Sequence, residues 1–317
     1  MTKNLAIVYH DLAVMFEAGL PILKSLNTIA SGLRPCLKKV FSDLAGSVSK
    51  GNTLTESMAK YPNVFAPLDL MLVETAELSG KLPECFSMLS AWYEFRSRIK
   101  RLIISGLMLP LVLIHIAAFV GPLPMLFLGQ TTFADYIFEA AATLTLLYVP
   151  AAITLAILYL TPRTGLLRRF LDALTLRIPL LGRAVRQLAI SRYCRAFNML
   201  YKAGVPIAQC AQKAPGVTGN AIIADFFKGG AESVRAGNPV CDGFSRKLPI
   251  DFLNLWQIGE ETGELDNSIQ KLADNSGQTA EFLFTQLGQW LPRLIYWLVC
   301  IVLIIQILRG AAAIGMG

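Results

Sequence analysis

The stretch LIISGLMLPLVLIHIAAFV, residues 102–120, decides the fold of this chain. It runs for 19 residues without an Asp, Glu, Lys or Arg. At about 1.5 Å per helical residue, that length is just enough to cross the ~30 Å hydrocarbon core of a bilayer. The Gly-Pro-Leu-Pro sequence at residues 121–124 should end the helix, because proline lacks a backbone donor. We therefore predict a transmembrane helix over this run.

Two further apolar runs, residues 136–160 and 290–308, extend the same pattern outward. The whole chain of 317 residues is 54% hydrophobic and only 16% charged, which is too apolar for a water-soluble domain. We therefore predict an all-α membrane protein with three transmembrane helices and two repeated cytoplasmic helical-bundle domains. The predicted boundaries are 1–101 for the first cytoplasmic domain, 102–161 for two transmembrane helices joined by a short periplasmic loop, 162–288 for the second cytoplasmic domain, and 289–317 for the third transmembrane helix and a short tail.

The distribution of basic residues predicts the orientation. Residues 96–101 and 163–169, which we call the basic necks, border the first two runs, whereas residues 129–135 contain no Lys or Arg. Because basic loops stay on the cytoplasmic side, both soluble parts should face the cytoplasm and the C-terminus the periplasm. The net charge of +7 is concentrated at the necks, which favours contact with anionic lipids and argues against nucleic acid.

Catalytic and metal-binding patterns are missing from the sequence. The six cysteines form no C-x-x-C pair and lie apart from histidines, which indicates free thiols in a reducing compartment. No G-x-x-x-x-G-K-[S/T] loop is present. His115, in the first span, has no charged companion there, so we predict a hydrogen bond between helices in preference to proton transfer. We expect no catalytic residue, cofactor or metal ligand.

An internal repeat links the two soluble parts. Residues 18–22, AGLPI, match residues 203–207, AGVPI, at an offset of 185; residues 77–82, ELSGKL, match residues 260–265, EETGEL, at an offset of 183. Between them, the Gly-Asn pair at residues 51–52 matches the pair at 237–238. Three landmarks in one order indicate a duplicated helical bundle.

The Ala-Gly-x-Pro landmark predicts a tight helical hairpin in each copy. Gly19 and Gly204 can take the left-handed conformation that ends a helix, and Pro21 and Pro206 suit the start of the next one. These four residues should therefore act through backbone geometry.

The Glu-x-[Ser/Thr]-Gly landmark contains the most tempting site residues. Gly80 and Gly263 should turn the chain between two helices. Glu77 and Glu260 could bind a cation or contact a partner protein, but a glutamate at a helix end usually satisfies nearby backbone donors. We favour this structural role and keep the alternative open.

These motifs resemble the platform proteins of the type II secretion system F family, which includes the inner-membrane platform proteins of type IV pilus assembly. The similarity lies in the helix ending in Ala-Gly-[Leu/Val]-Pro and in the later Glu-x-[Ser/Thr]-Gly-x-Leu, and it covers nearly the whole chain. The residues that match the second part of the motif are Phe65, Pro67, Glu77 and Gly80 in the first copy, and Leu248, Pro249, Glu260 and Gly263 in the second.

The resemblance implies a bacterial inner-membrane scaffold without catalytic activity of its own. It implies coupling between a cytoplasmic assembly ATPase and the assembly of pilin or pseudopilin subunits into a fibre. Other inner-membrane assembly proteins and further copies of the chain are the remaining implied partners. A small oligomeric transporter or channel is the main alternative, although so few intramembrane ionisable groups offer little to line a path. A membrane-anchored enzyme is the third hypothesis and lacks a polar constellation to support it.

Overall fold

The computed structural model describes residues 2–127, 129, 132–160 and 165–315. Within these ranges the chain is helical and contains no β-strand, which confirms the predicted all-α class. The described residues form two compact units: Met1–Lys100 with Val185–Ala280, and Arg101–Ala184 with Glu281–Gly317. Most of both soluble stretches of the sequence thus belongs to one unit, whereas residue 101, residues up to 184 and residues 281–288 belong to the other.

The first half of the chain contains eight helices within the described residues. They are α1 (Thr2–Glu17), α2 (Ile22–Gly32), α3 (Pro35–Val48), α4 (Leu54–Ala59), α5 (Pro67–Ser79), α6 (Leu82–Val120), α7 (Leu123–Phe127) and α8 (Phe133–Leu160). Apolar positions three and four residues apart on α1, among them Leu5, Val8 and Leu12, are at most 2% exposed. They pack into the core of the first unit, as the periodicity of the sequence predicts.

The second half contains seven α-helices and two 3-10 turns within the described residues. It contains α9 (Leu166–Arg177), α10 (Pro179–Lys202), α11 (Ile207–Lys213), a 3-10 turn (Ala214–Val217), α12 (Ala221–Asp225), α13 (Gly229–Arg235), a second 3-10 turn (Val240–Gly243), α14 (Ile250–Thr262) and α15 (Leu265–Gly315). Its core is rich in aromatic rings: Tyr193 stacks on Phe227 with ring centroids 3.7 Å apart, and Trp256 is fully buried.

Both hairpins predicted from Ala-Gly-x-Pro are present. Gly19 and Gly204 have φ angles of 75° and 90°, and α2 and α11 begin one residue after Pro21 and Pro206. A side chain at either glycine would be strained, since L residues rarely adopt this region. This geometry requires glycine at residues 19 and 204 and suits proline at residues 21 and 206.

One helix in the described part of the chain is long and apolar enough to cross a membrane, and it is α6. It begins at Leu82 and continues as one α-helix past Pro110 to Val120. The charged residues that mark the predicted boundary at residue 101 do not interrupt it, because Arg and Lys are good helix formers. The breaker after Val120 ends the helix as predicted.

The C-terminal helix is longer than the sequence suggested. We expected the third transmembrane run to end at Leu308 with a short tail, but α15 continues to Gly315. The run of alanines at residues 311–313 explains the extension, since alanine has the highest helix propensity. Residues 316–317, and Arg163 of the second basic neck, lie outside the described residues.

Hydrogen bonds join the helices of the second unit. Nδ1 of His115 donates to the Leu111 carbonyl at 2.7 Å, so Nε2 accepts from the Tyr148 hydroxyl of α8 at 2.8 Å. The Tyr136 hydroxyl donates to the Phe119 carbonyl at 3.0 Å. The prediction of a satisfied histidine between helices is therefore confirmed.

Candidate functional site

Glu77 caps the N-terminus of α4. Its Oε1 accepts the N–H of Leu54 at 2.6 Å, while Oε2 accepts the N–H of Thr55 at 2.9 Å and the Thr55 hydroxyl at 2.6 Å. These N–H groups have no partner within their own helix, and a carboxylate also interacts favourably with the positive end of the helix dipole. The side chain is half-buried, so α5 and α4 are fixed to each other at this point.

Glu260 makes the same contact in the second half. Its Oε1 accepts the N–H of Val240 at 2.7 Å and its Oε2 the N–H of Cys241 at 3.1 Å, at the start of the second 3-10 turn. In the first half Thr53 adds a capping box with Glu56, whereas Pro239 stands at the corresponding position of the second half. In the described part of the chain, Glu260 therefore supplies both side-chain oxygens that accept the N–H groups of Val240 and Cys241.

The glycines after the two glutamates turn the chain. Gly80 and Gly263 have φ angles of 73° and 74° and end α5 and α14 in the left-handed conformation. In both places the next helix, α6 or α15, begins two residues later. Because both oxygens of each glutamate face backbone donors, a cation or a partner at this point would have to compete with those hydrogen bonds.

A buried carboxylate lies elsewhere in the first unit. Asp69 is fully buried, and its Oδ2 accepts hydrogen bonds from the Tyr93 hydroxyl at 2.6 Å, the Ala66 N–H at 2.9 Å and the Tyr9 hydroxyl at 3.5 Å. Burial raises the pKa of Asp69, although these donors and the charge of Arg96 oppose the shift. Its Oδ1 has no hydrogen-bond partner.

The second half has no counterpart of this carboxylate. Phe252 lies 183 residues after Asp69, the same offset as the Glu-x-[Ser/Thr]-Gly landmark, and it is buried among aromatic rings. Burying an ionisable group costs stability that a phenylalanine does not. The two halves therefore differ at this position in polarity and not in burial.

Asp69→Asn is expected to change how stability depends on pH. Because the pKa of Asp69 in the fold is raised above its ordinary value of 3.8, the fold binds this proton more tightly than the unfolded chain does. The stability that the proton provides is complete below about pH 3.8 and is lost as the pH rises through the raised pKa. Asparagine stays neutral, so the stability of the variant relative to wild type should increase from pH 4 to pH 7.

The measurement is the free energy of unfolding in detergent at several pH values, followed by tryptophan fluorescence. Asp251→Asn, an exchange at an exposed position of α14, is the control. A stability difference between Asp69→Asn and wild type that stays constant across this range would contradict the prediction.

A polar network lines a groove within the first unit, between α6, α10 and α15. Arg195 pairs with Asp274 at 2.7 Å and lies 4.3 Å from the centroid of the Phe95 ring. Gln270 donates to Asp274 at 2.9 Å and accepts from Asn198 at 2.9 Å. The cavity beside this network has a volume of about 140 Å³.

Positive charge accumulates next to this groove. Burial and the nearby charge of Arg96 lower the pKa of Arg192 to about 10. The Arg96 guanidinium lies over the rings of Trp92 and Tyr93, 5.9 and 5.3 Å from their centroids. Sequence reasoning did not predict this arrangement of Arg96, Arg192 and Arg195.

The described residues contain no group of three or more His, Cys, Asp or Glu side chains able to hold a metal ion. The six cysteines are free thiols. Burial raises the pKa of Cys85 to about 12, so this side chain is a thiol and not a thiolate near neutral pH. The features of this part of the molecule are helix caps, hairpins and a polar groove, which are means of holding helices together.

Comparison with known proteins places these features in a family. The sequence profile of the family described as "Type II secretion system (T2SS), protein F" matches residues 8–129 and 193–308. The chain is 25% identical over 301 residues to the type IV pilus assembly protein PilC of Myxococcus xanthus, covering 86% of this chain and 70% of that protein.

Two further relatives extend the comparison. The PilC protein of Thermus thermophilus is 28% identical over 302 residues, with 86% of this chain and 72% of that protein covered. The type II secretion system protein F of Vibrio cholerae is 24% identical over 325 residues, with 96% and 80% covered. The two matched segments each contain one of the glutamate caps.

Proposed function

Since this chain belongs to the type II secretion system protein F family, we propose that it couples a cytoplasmic assembly ATPase to the assembly of pilin or pseudopilin subunits in its machine. The chain is an inner-membrane platform protein of a type II secretion or type IV pilus system and not an enzyme. The observation that carries the proposal is the family match, which includes both halves and the apolar part of α6. The coupling mechanism and the partners are the proposed part.

We further propose that the chain crosses the membrane three times, with its N-terminus and both soluble stretches in the cytoplasm. Support comes from α6, from the length of α8 and α15, and from the basic residues beside the first two apolar runs. The C-terminus then lies in the periplasm.

The two soluble stretches are, in this proposal, copies of one helical bundle. The glutamate caps support it, because Glu77 and Glu260 accept N–H groups from positions separated by the same offset of 186 residues. A second contact supports it as well. The Ser90 hydroxyl donates to the Ala6 carbonyl at 3.0 Å, and the Ser191 hydroxyl donates to the Ala273 carbonyl at 2.7 Å.

These two hydrogen bonds join matching positions with the donor exchanged. Ser191 lies 185 residues after Ala6, and Ala273 lies 183 residues after Ser90. The first bond therefore runs from α6 to α1, and the second from α10 to α15. A shared geometry reached with different residues is typical of duplicated domains that have diverged.

Mechanical coupling is the mechanism that fits a platform protein without catalytic residues. Helices α6 and α15 each begin in the first unit and continue without a break into the second. A displacement that an ATPase imposes on the cytoplasmic bundles can therefore be carried by two uninterrupted helices. Gly19, Pro21, Glu77 and Gly80, and their matches Gly204, Pro206, Glu260 and Gly263, hold the bundles from which these helices start.

The proposed partners follow from the proposed role as a platform protein. They are a cytoplasmic assembly ATPase, pilin-like or pseudopilin subunits, other inner-membrane assembly proteins, further copies of this chain, and anionic lipids at the basic necks. The transporter alternative has less support, since the ionisable side chain in the apolar part of α6, His115, already has partners at both ring nitrogens.

Affinity purification from the native membrane tests the proposal. We expect the N-terminally tagged wild-type chain, extracted gently, to recover an ATPase and pilin-like proteins identified by mass spectrometry. A double Gly80→Val and Gly263→Val variant, whose side chains force strained backbone at both turns, is the misfolded control. Failure of the wild type to recover either partner, together with ion or solute flux through the purified chain in liposomes, would favour the transporter.

A further inference from the structure

Helix α9 has its surfaces reversed relative to a helix of a water-soluble protein. Phe170 and Leu174, one turn apart, are 66% and 50% exposed, and Ile178 directly after the helix is 47% exposed. Asp172, on the other side of the helix, is only 6% exposed, and its Oδ1 lies 3.4 Å from Nε of Arg168. The apolar side therefore faces outward and a charged pair faces inward.

This reversal indicates that the outer face of α9 does not meet water. In an aqueous protein the apolar stripe of an amphipathic helix is buried, and a carboxylate is seldom buried while large apolar side chains beside it are exposed. A Phe and a Leu left in water lose the stabilisation that burial of their apolar surface would provide. Something apolar must cover this face.

The charges around the face identify what covers it. Arg169 and Arg177 are exposed, and at 100° per residue Arg177 lies on the same side of the helix as Phe170 and Leu174. The acidic residue of α9, Asp172, lies on the inward side. An apolar stripe bordered by arginines fits a surface with an apolar interior and anionic headgroups, because long Arg side chains can reach the headgroups while the apolar residues insert below them.

The position and length of α9 agree with a membrane surface. It lies in the same compact unit as residues 101–120, where Ile104, Met108 and Phe119 also point outward. Its 12 residues extend only about 18 Å at 1.5 Å per residue, which is too short to cross the hydrocarbon core. A helix of this length with one apolar face lies along the interface.

We propose that α9 lies in the interface of the inner membrane, with Phe170 and Leu174 among the acyl chains and Arg169 and Arg177 at anionic headgroups. The inference goes beyond the transmembrane spans and beyond the contact of anionic lipids with the second basic neck, because it places the apolar face of α9 among the acyl chains. It rests on the membrane location of the protein and not on which machine the protein serves.

Photocrosslinking of the full-length protein tests this assignment. A photoreactive phenylalanine analogue (p-benzoylphenylalanine) is placed at position 174, and the purified chain is reconstituted in liposomes containing phosphatidylglycerol. We expect mass spectrometry to find phospholipid attached to the peptide that contains residue 174. The matched control is position 78 on α5, where Leu78 is 86% exposed but lies in the other unit, and there we expect no lipid adduct.

The headgroup contact is tested with the same probe. Arg169→Gln with Arg177→Gln should lower the lipid adduct at position 174, by up to about fivefold per arginine in phosphatidylglycerol vesicles and less in phosphatidylcholine vesicles. A crosslink from position 174 to a second copy of the chain would overturn the proposal, because the face would then be a protein interface. The absence of an adduct above the Leu78 control would overturn it as well, because the face would then be in water.

The outcome is independent of the platform mechanism. Lipid adducts at position 174 without recovery of an ATPase or pilin-like protein would leave α9 as an interfacial helix and reject the proposed coupling. Recovery of those partners without lipid adducts would support the proposed coupling and reject the interfacial position of α9.

Discussion

Glu77→Ala is expected to lower the free energy of unfolding by about 3 kcal/mol, because two backbone N–H groups and a hydroxyl at the start of α4 lose a charged acceptor. Glu260→Ala should lower it by about 2 kcal/mol, since that carboxylate accepts two N–H groups. Glu77→Gln keeps one carbonyl acceptor, so its free energy of unfolding should lie between those of the wild type and of Glu77→Ala. The loss of stability in the double alanine variant should be close to the sum of the two single losses, because the two caps share no partner.

The local readout is hydrogen exchange of the peptides that contain Leu54 and Thr55, or Val240 and Cys241. Each alanine variant should accelerate exchange most strongly at the two amides that its carboxylate accepts in the wild type, because these amides lose their acceptor. Glu74→Ala changes an exposed glutamate one turn earlier on α5 and should shift stability by less than about 0.5 kcal/mol. Equal losses for Glu74→Ala and Glu77→Ala would mean that the cap contributes nothing specific.

Gly288→Leu is expected to disrupt the second unit, where α6 and α15 cross at two glycines. A Cβ built on Gly288 would lie 2.9 Å from the Cα of Gly106, and a Cβ on Gly106 would lie 3.1 Å from the Cα of Gly288. Two helices this close have no room for a side chain, so the backbones must separate. We expect a loss of about 2–3 kcal/mol for leucine at either glycine and a smaller loss for Gly106→Ala.

The measurement is the temperature at which the detergent-solubilised protein loses its monodisperse peak in size-exclusion chromatography. Ala142→Leu, which introduces the same leucine side chain at an exposed position of α8, is the control and should have little effect. If Gly288→Leu tolerated heat as well as Ala142→Leu, the close crossing of α6 and α15 would be refuted.

Local rules account for the parts of the fold that the sequence predicted well. The turns at Gly19 and Gly204 depend on the φ of one residue and on the proline two residues later, so a segment of five residues is enough to predict each turn. The end of α6 at Val120 depends on two prolines in four residues. The helical class follows from the 3.6-residue period of the apolar positions.

Contacts between distant residues were beyond the same rules. Asp69 looks like an ordinary acidic residue in the first turn of a helix, and only Tyr9 and Tyr93, 60 and 24 residues away, reveal that it is buried. The partners of Glu77 lie 22 and 23 residues earlier, so the sequence could indicate a role in satisfying donors but not which donors. The continuity of α6 through the charged boundary at residue 101 was also missed, because charge marks topology and does not break helices.

The exchanged serines have a consequence for how the newly made chain sorts its own helices. If α1 paired with α15 by mistake, Ala6 would face Ala273 and that crossing would have no hydroxyl, while α10 against α6 would bring Ser191 and Ser90 together and crowd two hydroxyls into one crossing. The correct pairing gives each crossing one hydroxyl and one carbonyl acceptor. We expect this asymmetry to favour the pairing of α1 with α6 and of α10 with α15 over the exchanged pairing, because each crossing then keeps its own hydrogen bond.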